Sequence, residues 1–424
     1  MRRLALLVGV AAALFAVACS KQEPQAPPAA KAEDPKRELI TKGAYLTAAA
    51  DCYACHTLRG SEPFAGGLEI PTPFGTLYTP NVTPDPETGI GSWSADDFWR
   101  AMHEGRSKDG SFLYPAFPYT NYTKVTREDS DAIYAYFMSL KPVKKKSRAH
   151  EMGFPYNQRQ LMAGWRALYF KAGEFKDDPK QSKEWNRGAY LVEGLGHCNA
   201  CHATRNALGA ITADDDYSGG LIPVQNWYAP SLTSSRETGL GDWEVKEIVD
   251  LLRTGVSERS AVFGPMAAVV MHSLQEMSLG DLNAMAVYLK AQSEKKASAP
   301  LLDSGPSDEQ TAGMMRTGAK IYKDYCATCH QPNGEGVPRV YPPLVNNAAI
   351  TMRNPVNPIR VVLNGGFPPS TQGNPRPYGM PPFYQELNNE QVAAVVTYIR
   401  RSWGNYSSPT TAAEVARSRG VPAD

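Results

Sequence analysis

Three copies of the pentad Cys-x-x-Cys-His are spread along this chain of 424 residues. They occupy 52–56, 198–202 and 326–330, and they use six of the seven cysteines. With this spacing two thiols can add to the vinyl groups of one haem, and the adjacent histidine can bind the iron. A zinc half-site, a redox dithiol or a disulfide could explain one pentad, but no spare cysteines remain to complete three zinc sites. The sequence therefore predicts three covalent c-type haems. Their thioether bonds are assigned to Cys52, Cys55, Cys198, Cys201, Cys326 and Cys329, and their iron ligands to His56, His202 and His330.

Length and composition agree with one domain for each pentad. At ~150 residues a domain, the length suggests about three domains. The net charge of +1 gives no sign of a nucleic-acid partner. No glycine-rich dinucleotide fingerprint opens a strand-to-helix unit. The sequence therefore favours an electron carrier and shows no site for a substrate-oxidising cofactor.

The N-terminus has the features of an export signal. Arg2 and Arg3 precede an uncharged apolar run over 4–18, which is too short for a good membrane span. Small residues then precede Cys19, and the segment resembles a bacterial lipoprotein cleavage box. We expect a periplasmic protein attached to a membrane by a lipid on Cys19. An ordinary signal peptide, with Cys19 removed, is the alternative.

Each pentad lies inside a repeated unit that begins and ends with a helical pattern. The first helix carries a glycine before the pentad, at Gly43, Gly188 or Gly318. The last helix is amphipathic and aromatic, over 131–137, 283–289 or 392–399. A glycine in the first helix allows an aromatic side chain of the last helix to approach closely. The units resemble class I cytochromes c, whose first and last helices cross in this way. The resemblance implies an all-α fold of three tandem class I cytochrome c domains, each wrapped around one haem.

These patterns divide the chain into eight segments. They are a signal peptide over 1–18, a flexible tether over 19–36, a first domain over 37–145, a connector over 146–181, a second domain over 182–294, a linker over 295–307, a third domain over 308–405 and a C-terminal tail over 406–424. The first, second and third domains are called the first, second and third units below.

A proline follows each pentad at a similar place in its unit. The three are Pro80, Pro230 and Pro342, each two residues before an apolar residue. Taken alone, such prolines indicate only turns. In class I cytochromes c the equivalent carbonyl accepts a hydrogen bond from the haem histidine, which fixes the orientation of the ring. The resemblance predicts the same contact three times here.

A sixth iron ligand is expected in the loop before each closing helix, and methionine is the usual choice. Met380 occupies this place in the third unit and Met266 in the second. The first unit has Phe117 there, which cannot bind iron. Met102 or His103, on a predicted helix nearby, could replace it, or the first iron could be five-coordinate.

Taken whole, the chain beyond the tether resembles the triheme cytochrome c subunits of bacterial membrane-associated dehydrogenases. Besides the pentads, the resemblance rests on the segment Tyr-Pro-Ala-Phe-Pro-Tyr over 114–119 and on the connector 154–159 followed by Trp165. The group includes cytochrome subunits that serve alcohol, gluconate, sorbitol and fructose dehydrogenases. Members of the gluconate type usually have Met in place of Phe117.

The resemblance implies a function and partners. Electrons would come from a separate catalytic subunit, which could be a flavoprotein, a quinoprotein or a molybdenum hydroxylase. They would leave to ubiquinone or to a downstream cytochrome or oxidase. Two alternatives remain: a haem enzyme with an open iron in the first domain, and a free periplasmic electron shuttle.

Overall fold

The computed structural model describes residues 34–213, 216–222, 224–233, 239–294 and 308–421. The predicted signal peptide, Cys19 and the linker 295–307 lie outside these residues. Regular structure is mostly helical with a few short strands, which confirms the predicted fold class. Within the described ranges, no helix is both long and apolar enough to cross a membrane.

The first unit places two long helices at the ends of its sequence and its pentad directly after the first of them. Its elements are α1 (Pro35–Ala49), α2 (Cys52–His56), β1 (Glu69–Thr72), β2 (Gly75–Tyr78), α3 (Ala95–Glu104), α4 (Tyr119–Tyr122) and α5 (Arg127–Ser139). Local sequence fixes several boundaries. Ser94 and Asp97 form a capping box at the start of α3, and Gly105 ends it with φ of +61°. Thr126 caps α5 by accepting from the backbone N–H of Asp129.

The connector returns to the first unit before it reaches the second. It contains β3 (Glu151–Met152), a 3₁₀ turn (Arg159–Leu161) and α6 (Met162–Tyr169). β3 pairs antiparallel with β2, with Gly75 opposite Met152. Further on, Trp165 of α6 donates its indole N–H to Leu208 O of the second unit at 3.0 Å. The connector therefore contacts both units that it joins.

The second unit has the same order of first helix, pentad and closing helix, but its first helix continues as a π-helical segment. Its elements are α7 (Lys183–Ala189), a π-helical segment (Tyr190–Leu195), α8 (Asn199–His202), β4 (Gly220–Ile222), β5 (Trp227–Ala229), α9 (Val245–Thr254), α10 (Pro265–His272), a 3₁₀ turn (Leu274–Glu276) and α11 (Leu279–Glu294). The π-helical segment leads into the pentad. Such irregular turns are frequent at functional sites.

The third unit also becomes π-helical before its pentad. Its elements are α12 (Asp308–Ile321), a π-helical segment (Tyr322–Cys326), α13 (Ala327–His330), α14 (Ala348–Thr351), α15 (Val356–Asn364), α16 (Asn389–Arg401) and α17 (Ala412–Arg419). α17 lies in the segment that the sequence suggested was a tail. Its Val415 is completely buried, and Arg419 donates to Tyr384 O at 2.6 Å. Residues of the tail thus pack as part of the third unit.

The first and last helices of every unit cross at the predicted glycine. A Cβ atom would lie 1.9 Å from Ala132 O at Gly43, 2.0 Å from Ala284 O at Gly188 and 2.3 Å from Ala394 O at Gly318. The Cβ of an aromatic residue on the closing helix lies beside each glycine as well, in Tyr136, Tyr288 and Tyr398. No larger residue fits these crossings without separating the helices. The prediction of close helix crossing is confirmed in all three units.

The hydrophobic core divides between the units unequally. Buried apolar side chains of the first and second units form one continuous cluster, which includes Leu46 and Ile133 from the first and Leu191 and Leu282 from the second. The third unit has a cluster of its own. It joins the second unit through polar contacts such as that of Asn357, whose side chain makes two hydrogen bonds with the Tyr228 backbone at 2.9 and 2.8 Å.

Candidate haem sites

Each pentad histidine is held by the carbonyl of the predicted proline. Nδ1 lies 2.9 Å from Pro80 O in His56, 2.8 Å from Pro230 O in His202 and 3.1 Å from Pro342 O in His330. Since a carbonyl oxygen can only accept, Nδ1 must carry the proton in all three rings. The expected histidine–proline hydrogen bond is confirmed three times.

This hydrogen bond prepares the opposite nitrogen for a metal. Burial lowers the pKa of His56, His202 and His330, and the proline carbonyl opposes it only in part, so the neutral ring is favoured. In a neutral ring with the proton on Nδ1, Nε2 keeps its lone pair. That nitrogen can then bind iron while the carbonyl fixes the plane of the ring.

A glycine completes each of these histidine sites, and the sequence analysis missed it. The N–H of Gly66 donates to His56 O at 2.8 Å, that of Gly219 to His202 O at 2.9 Å and that of Gly336 to His330 O at 3.0 Å. All three have positive φ. A Cβ atom on any of them would collide with backbone at or beside the proline whose carbonyl pairs with the histidine. The glycine therefore brings the proline carbonyl close to the histidine.

The six pentad cysteines have the form that thioether attachment requires. None of the six forms a disulfide, and Cys326 is buried. Burial raises the pKa of Cys198 and Cys326 to about 12, so these thiols are neutral before attachment. No cluster of three or more His, Cys, Asp or Glu side chains suited to a bare metal ion occurs in the part of the chain that the structure describes. Paired thiols beside a prepared imidazole fit a c-type haem.

Both predicted methionine ligands precede the closing helix of their unit, Met380 in a loop and Met266 in a short helix rather than the expected loop. Met266 is in the first turn of α10, half-buried against the core shared by the first two units. Met380 is half-buried against the core of the third unit. Its backbone is fixed by two hydrogen bonds with Gly366, at 2.8 and 3.0 Å. Ligation of iron by these two residues stays a prediction.

In the first unit Phe117 and the two candidates for the sixth ligand, Met102 and His103, all have packing contacts. Phe117 meets the ring of Tyr122 at 5.3 Å between centroids. Met102 is 4% exposed, and its Sδ accepts from Ser130 Oγ at 3.8 Å. His103 stacks on Trp99 at 4.3 Å. Ligation by Met102 or His103 would require these contacts to be given up, and the sixth ligand of this haem stays open.

Two residues of α4 join the first and second pentads. Asn121 donates to Asn199 Oδ1, inside the second pentad, at 2.8 Å. Tyr122 donates to Ala50 O, two residues before the first pentad, at 2.9 Å. The Tyr122 ring also stacks on His197, which precedes Cys198, at 5.5 Å between centroids. Both residues are buried, so the link between the two pentads is shielded from solvent.

A second set of contacts joins the first pentad to the second unit. The ring of Tyr53, inside the first pentad, lies 5.0 Å from that of His272 in α10. Burial raises the pKa of the Cys55 thiol, and the nearby Asp51 and Cys201 raise it further. Cys201 belongs to the second pentad, so its effect on Cys55 indicates that the two attachment sites are neighbours.

The second and third units meet through the loops that carry Met266 and Met380. Gly366 pairs with Met380 and also lies against Phe263, because a Cβ atom on it would be 3.3 Å from that ring. Phe263 is three residues before Met266. The second unit therefore contacts the first through its pentad and the third through its methionine loop.

Comparison with known sequences agrees with this geometry. The cytochrome c family profile matches residues 40–141 and 315–403, in the first and third units. The cytochrome c subunit of alcohol dehydrogenase (quinone) from Gluconobacter oxydans is 39% identical over 410 residues, which cover 93% of this chain and 85% of that protein. The gluconate 2-dehydrogenase cytochrome c subunit of Pantoea cypripedii is 40% identical over 408 residues, 92% of both chains. The chain belongs to this family of dehydrogenase cytochrome c subunits.

Family membership shows the chemistry of the chain as a whole. As a cytochrome c, the chain binds haem c covalently, and its role is electron transfer. The fructose dehydrogenase cytochrome subunit of Gluconobacter japonicus is also similar, with 33% identity over 423 residues. Those residues cover 94% of this chain and 86% of that protein, so the likeness again extends over nearly the whole length of both.

Proposed function

We propose that the chain is the triheme electron-transfer subunit of a dehydrogenase complex. It receives electrons from a catalytic subunit and delivers them to ubiquinone or to another acceptor of the respiratory chain. The observation that carries this proposal is the repeated histidine–proline–glycine arrangement in three units that contact one another in series. The names of the relatives, which are cytochrome subunits of alcohol and gluconate dehydrogenases, support a catalytic partner.

The residues of each unit divide the work of holding a haem. The two thiols attach it, the histidine Nε2 binds its iron, and the proline carbonyl keeps the imidazole proton on Nδ1. Bound haem supplies a one-electron carrier whose potential depends on its axial ligands. Asn121 and Tyr122 keep the first two attachment sites at a fixed separation, and the contact of Gly366 with Phe263 joins the segments that carry Met380 and Met266.

The haem count tests the proposal directly. Intact mass after denaturation and the pyridine haemochrome assay should both give three haems per polypeptide. Cys201→Ser should remove or destabilise only the middle haem and make the second unit sensitive to protease, because the haem forms the centre of that unit. Ala200→Ser, which keeps both thiols of the same pentad, should retain three. A count of two in the unaltered chain would contradict the triheme proposal.

Phe117 favours one further candidate function, a haem enzyme with an open iron in the first unit. We propose that Met266 and Met380 bind the second and third irons and that the first haem differs from both. Near-infrared magnetic circular dichroism should show methionine ligation for two haems, and Phe117→Met should alter only the first. A five-coordinate, high-spin first haem with catalytic activity would support the enzyme. Three equivalent His/Met signals that survive replacement of Met102 would contradict the special first haem.

The partner and the membrane attachment can be tested in the native host. A larger catalytic subunit should copurify, and electrons from its substrate should reduce the three haems. Isolation of the chain with no second subunit would favour the free shuttle.

The proposed lipid on Cys19 predicts an acylated N-terminus and release of Cys19→Ala to the soluble periplasmic fraction in the absence of the partner. A mature N-terminus after Cys19 would contradict it.

A further inference from the structure

Two tyrosines at equivalent places exchange hydrogen bonds between the first and second units. Tyr45 and Tyr190 each lie two residues after the glycine at the helix crossing. The hydroxyl of Tyr45 in the first unit donates to Asp281 Oδ2 in the second. The hydroxyl of Tyr190 in the second unit donates to Asp129 Oδ2 in the first at 2.6 Å.

The acceptors are equivalent as well. Asp129 and Asp281 each precede by three residues the alanine whose carbonyl lies against the crossing glycine. Each tyrosine oxygen also accepts a backbone N–H three residues before the aspartate, from Thr126 at 3.3 Å and from Ser278 at 3.3 Å. The two halves of the contact therefore have the same atoms in the same order, as in a two-fold symmetric interface.

Each of the two aspartates also contacts a cation from its own unit. Lys42 Nζ lies 2.8 Å from Asp129, and Arg187 contacts Asp281 at 2.7 and 2.8 Å. Both cations immediately precede a crossing glycine. Each carboxylate is thus shared between a cation of its own unit and a tyrosine of the other.

The third unit has none of these groups at the corresponding places. It has Thr317 before its crossing glycine, Lys320 two residues after it, and Gln391 three residues before Ala394. It also has a separate hydrophobic core. The exchange is therefore particular to the first two units and is not a general feature of the repeat.

The two tyrosines lie on the chain segments that lead into the haem attachment sites. α1 carries Tyr45 and ends three residues before the first pentad, and Tyr190 begins the π-helical segment that leads to the second. We propose that Tyr45–Asp281 and Tyr190–Asp129 are positioning residues that hold the first two haem sites in a two-fold arrangement. The first and second units then form one rigid two-haem module, to which the third is joined. This proposal rests on the proposed function, because it concerns the placement of its haems.

The test uses the full-length holoprotein and Tyr45→Phe with Tyr190→Phe, singly and together. Phenylalanine keeps the ring and removes only the donated hydrogen bonds. Tyr134→Phe is the matched control, because Tyr134 donates to Trp93 O within the first unit at 2.6 Å. Two readouts are followed, amide hydrogen exchange over 119–122 and 196–202, and the shift that oxidation of the first haem produces in the potential of the second.

The double variant should retain three haems and exchange at least about tenfold faster in both segments, as expected for loss of charge-assisted hydrogen bonds. The interaction between the first two haem potentials should change, and the third potential should stay as in the unaltered protein. Unchanged rates of amide hydrogen exchange and unchanged haem potentials would overturn the proposal. If the double variant does not fold, the single variants test the proposal. Each should speed amide hydrogen exchange in both segments, whereas Tyr134→Phe should speed it in neither. A wrong haem count in the unaltered chain would refute the triheme function, whereas hydrogen exchange tests the interface alone.

Discussion

Each pentad histidine is held by neighbouring backbone at two points: a proline carbonyl accepts a hydrogen bond from its ring Nδ1, and a glycine N–H donates to its main-chain carbonyl. The proline could be predicted, because it recurs before an apolar residue and matches class I cytochromes c. The glycine could not. It lies 10 residues after His56 (66 − 56), 17 after His202 (219 − 202) and 6 after His330 (336 − 330). Without a constant spacing, only the folded loop shows that the three glycines are equivalent.

Replacing such a glycine should disturb its histidine. In Gly66→Ala the new Cβ would lie 2.4 Å from Pro80 C and O, at a φ of +65°. We expect a loss of about 2–4 kcal/mol in the stability of the first unit and a shifted potential of its haem, because the Pro80 carbonyl must move away from His56. Denaturant unfolding and redox titration measure the two effects.

Gly60→Ala provides the control, since Gly60 has a φ of +79° with nothing within 4 Å. It should cost only about 1 kcal/mol, which is the strain of the backbone conformation, and leave the potential unchanged. Equal effects of the two substitutions would mean that the crowding at Pro80 has no influence on the haem.

At the scale of helices, periodicity and glycine placement predicted the first and last helices of each unit and their close crossing. Two features escaped. The π-helical segments Tyr190–Leu195 and Tyr322–Cys326 continue a helix and leave no distinct residue pattern. α17 is short and polar, and its one fully buried apolar side chain, Val415, gives too weak a periodicity to be distinguished from a tail.

The helix crossing gives a sharp prediction for the second unit. Gly188→Ala would place a Cβ atom 2.0 Å from Ala284 O, so α7 and α11 must separate. We expect a loss of at least about 3 kcal/mol, or failure to mature with the middle haem, because both core contacts and the entry to the pentad are displaced. Thermal unfolding and haem content are the measurements. Gly164→Ala in α6, where nothing lies within 4 Å, should instead be neutral or stabilising by up to about 1 kcal/mol. Similar results for both variants would refute the tight crossing.

At the scale of the whole molecule, the shared core and the tyrosine–aspartate hydrogen bonds couple the stabilities of the first two units, so we expect both units to be destabilised together by acid. Burial raises the pKa of the Asp281 carboxyl, but hydrogen bonds from Arg187 and Tyr45 and the charge of Arg187 outweigh it and bring the pKa below 3.8. The folded-state pKa is thus lower than the unfolded value of about 3.9. The carboxylate therefore stabilises the fold above about pH 4, and the contribution is lost as the pH falls through the folded-state pKa.

Asp281→Asn should accordingly destabilise the first two units by about 1–3 kcal/mol at pH 7 and by much less near pH 3. Urea unfolding at the two pH values, followed by hydrogen exchange in each unit, measures the difference. Asp242→Asn, at an exposed aspartate of the same unit, should have little effect at either pH. A penalty for Asp281→Asn that is the same at both pH values would show that the charge of Asp281 does not stabilise the junction.

The tyrosine–aspartate exchange also bears on the ancestry of the chain. Because donor and acceptor occupy the same places in both repeats, a single ancestral unit with one such tyrosine and one such aspartate would have been complementary to itself. Two identical copies could then have associated as a homodimer before their genes were fused. Fusion would have preserved the pairing while freeing the halves to diverge, as at Phe117 and Met266. The third repeat, without the tyrosine or the aspartate, would have joined through a surface that arose separately.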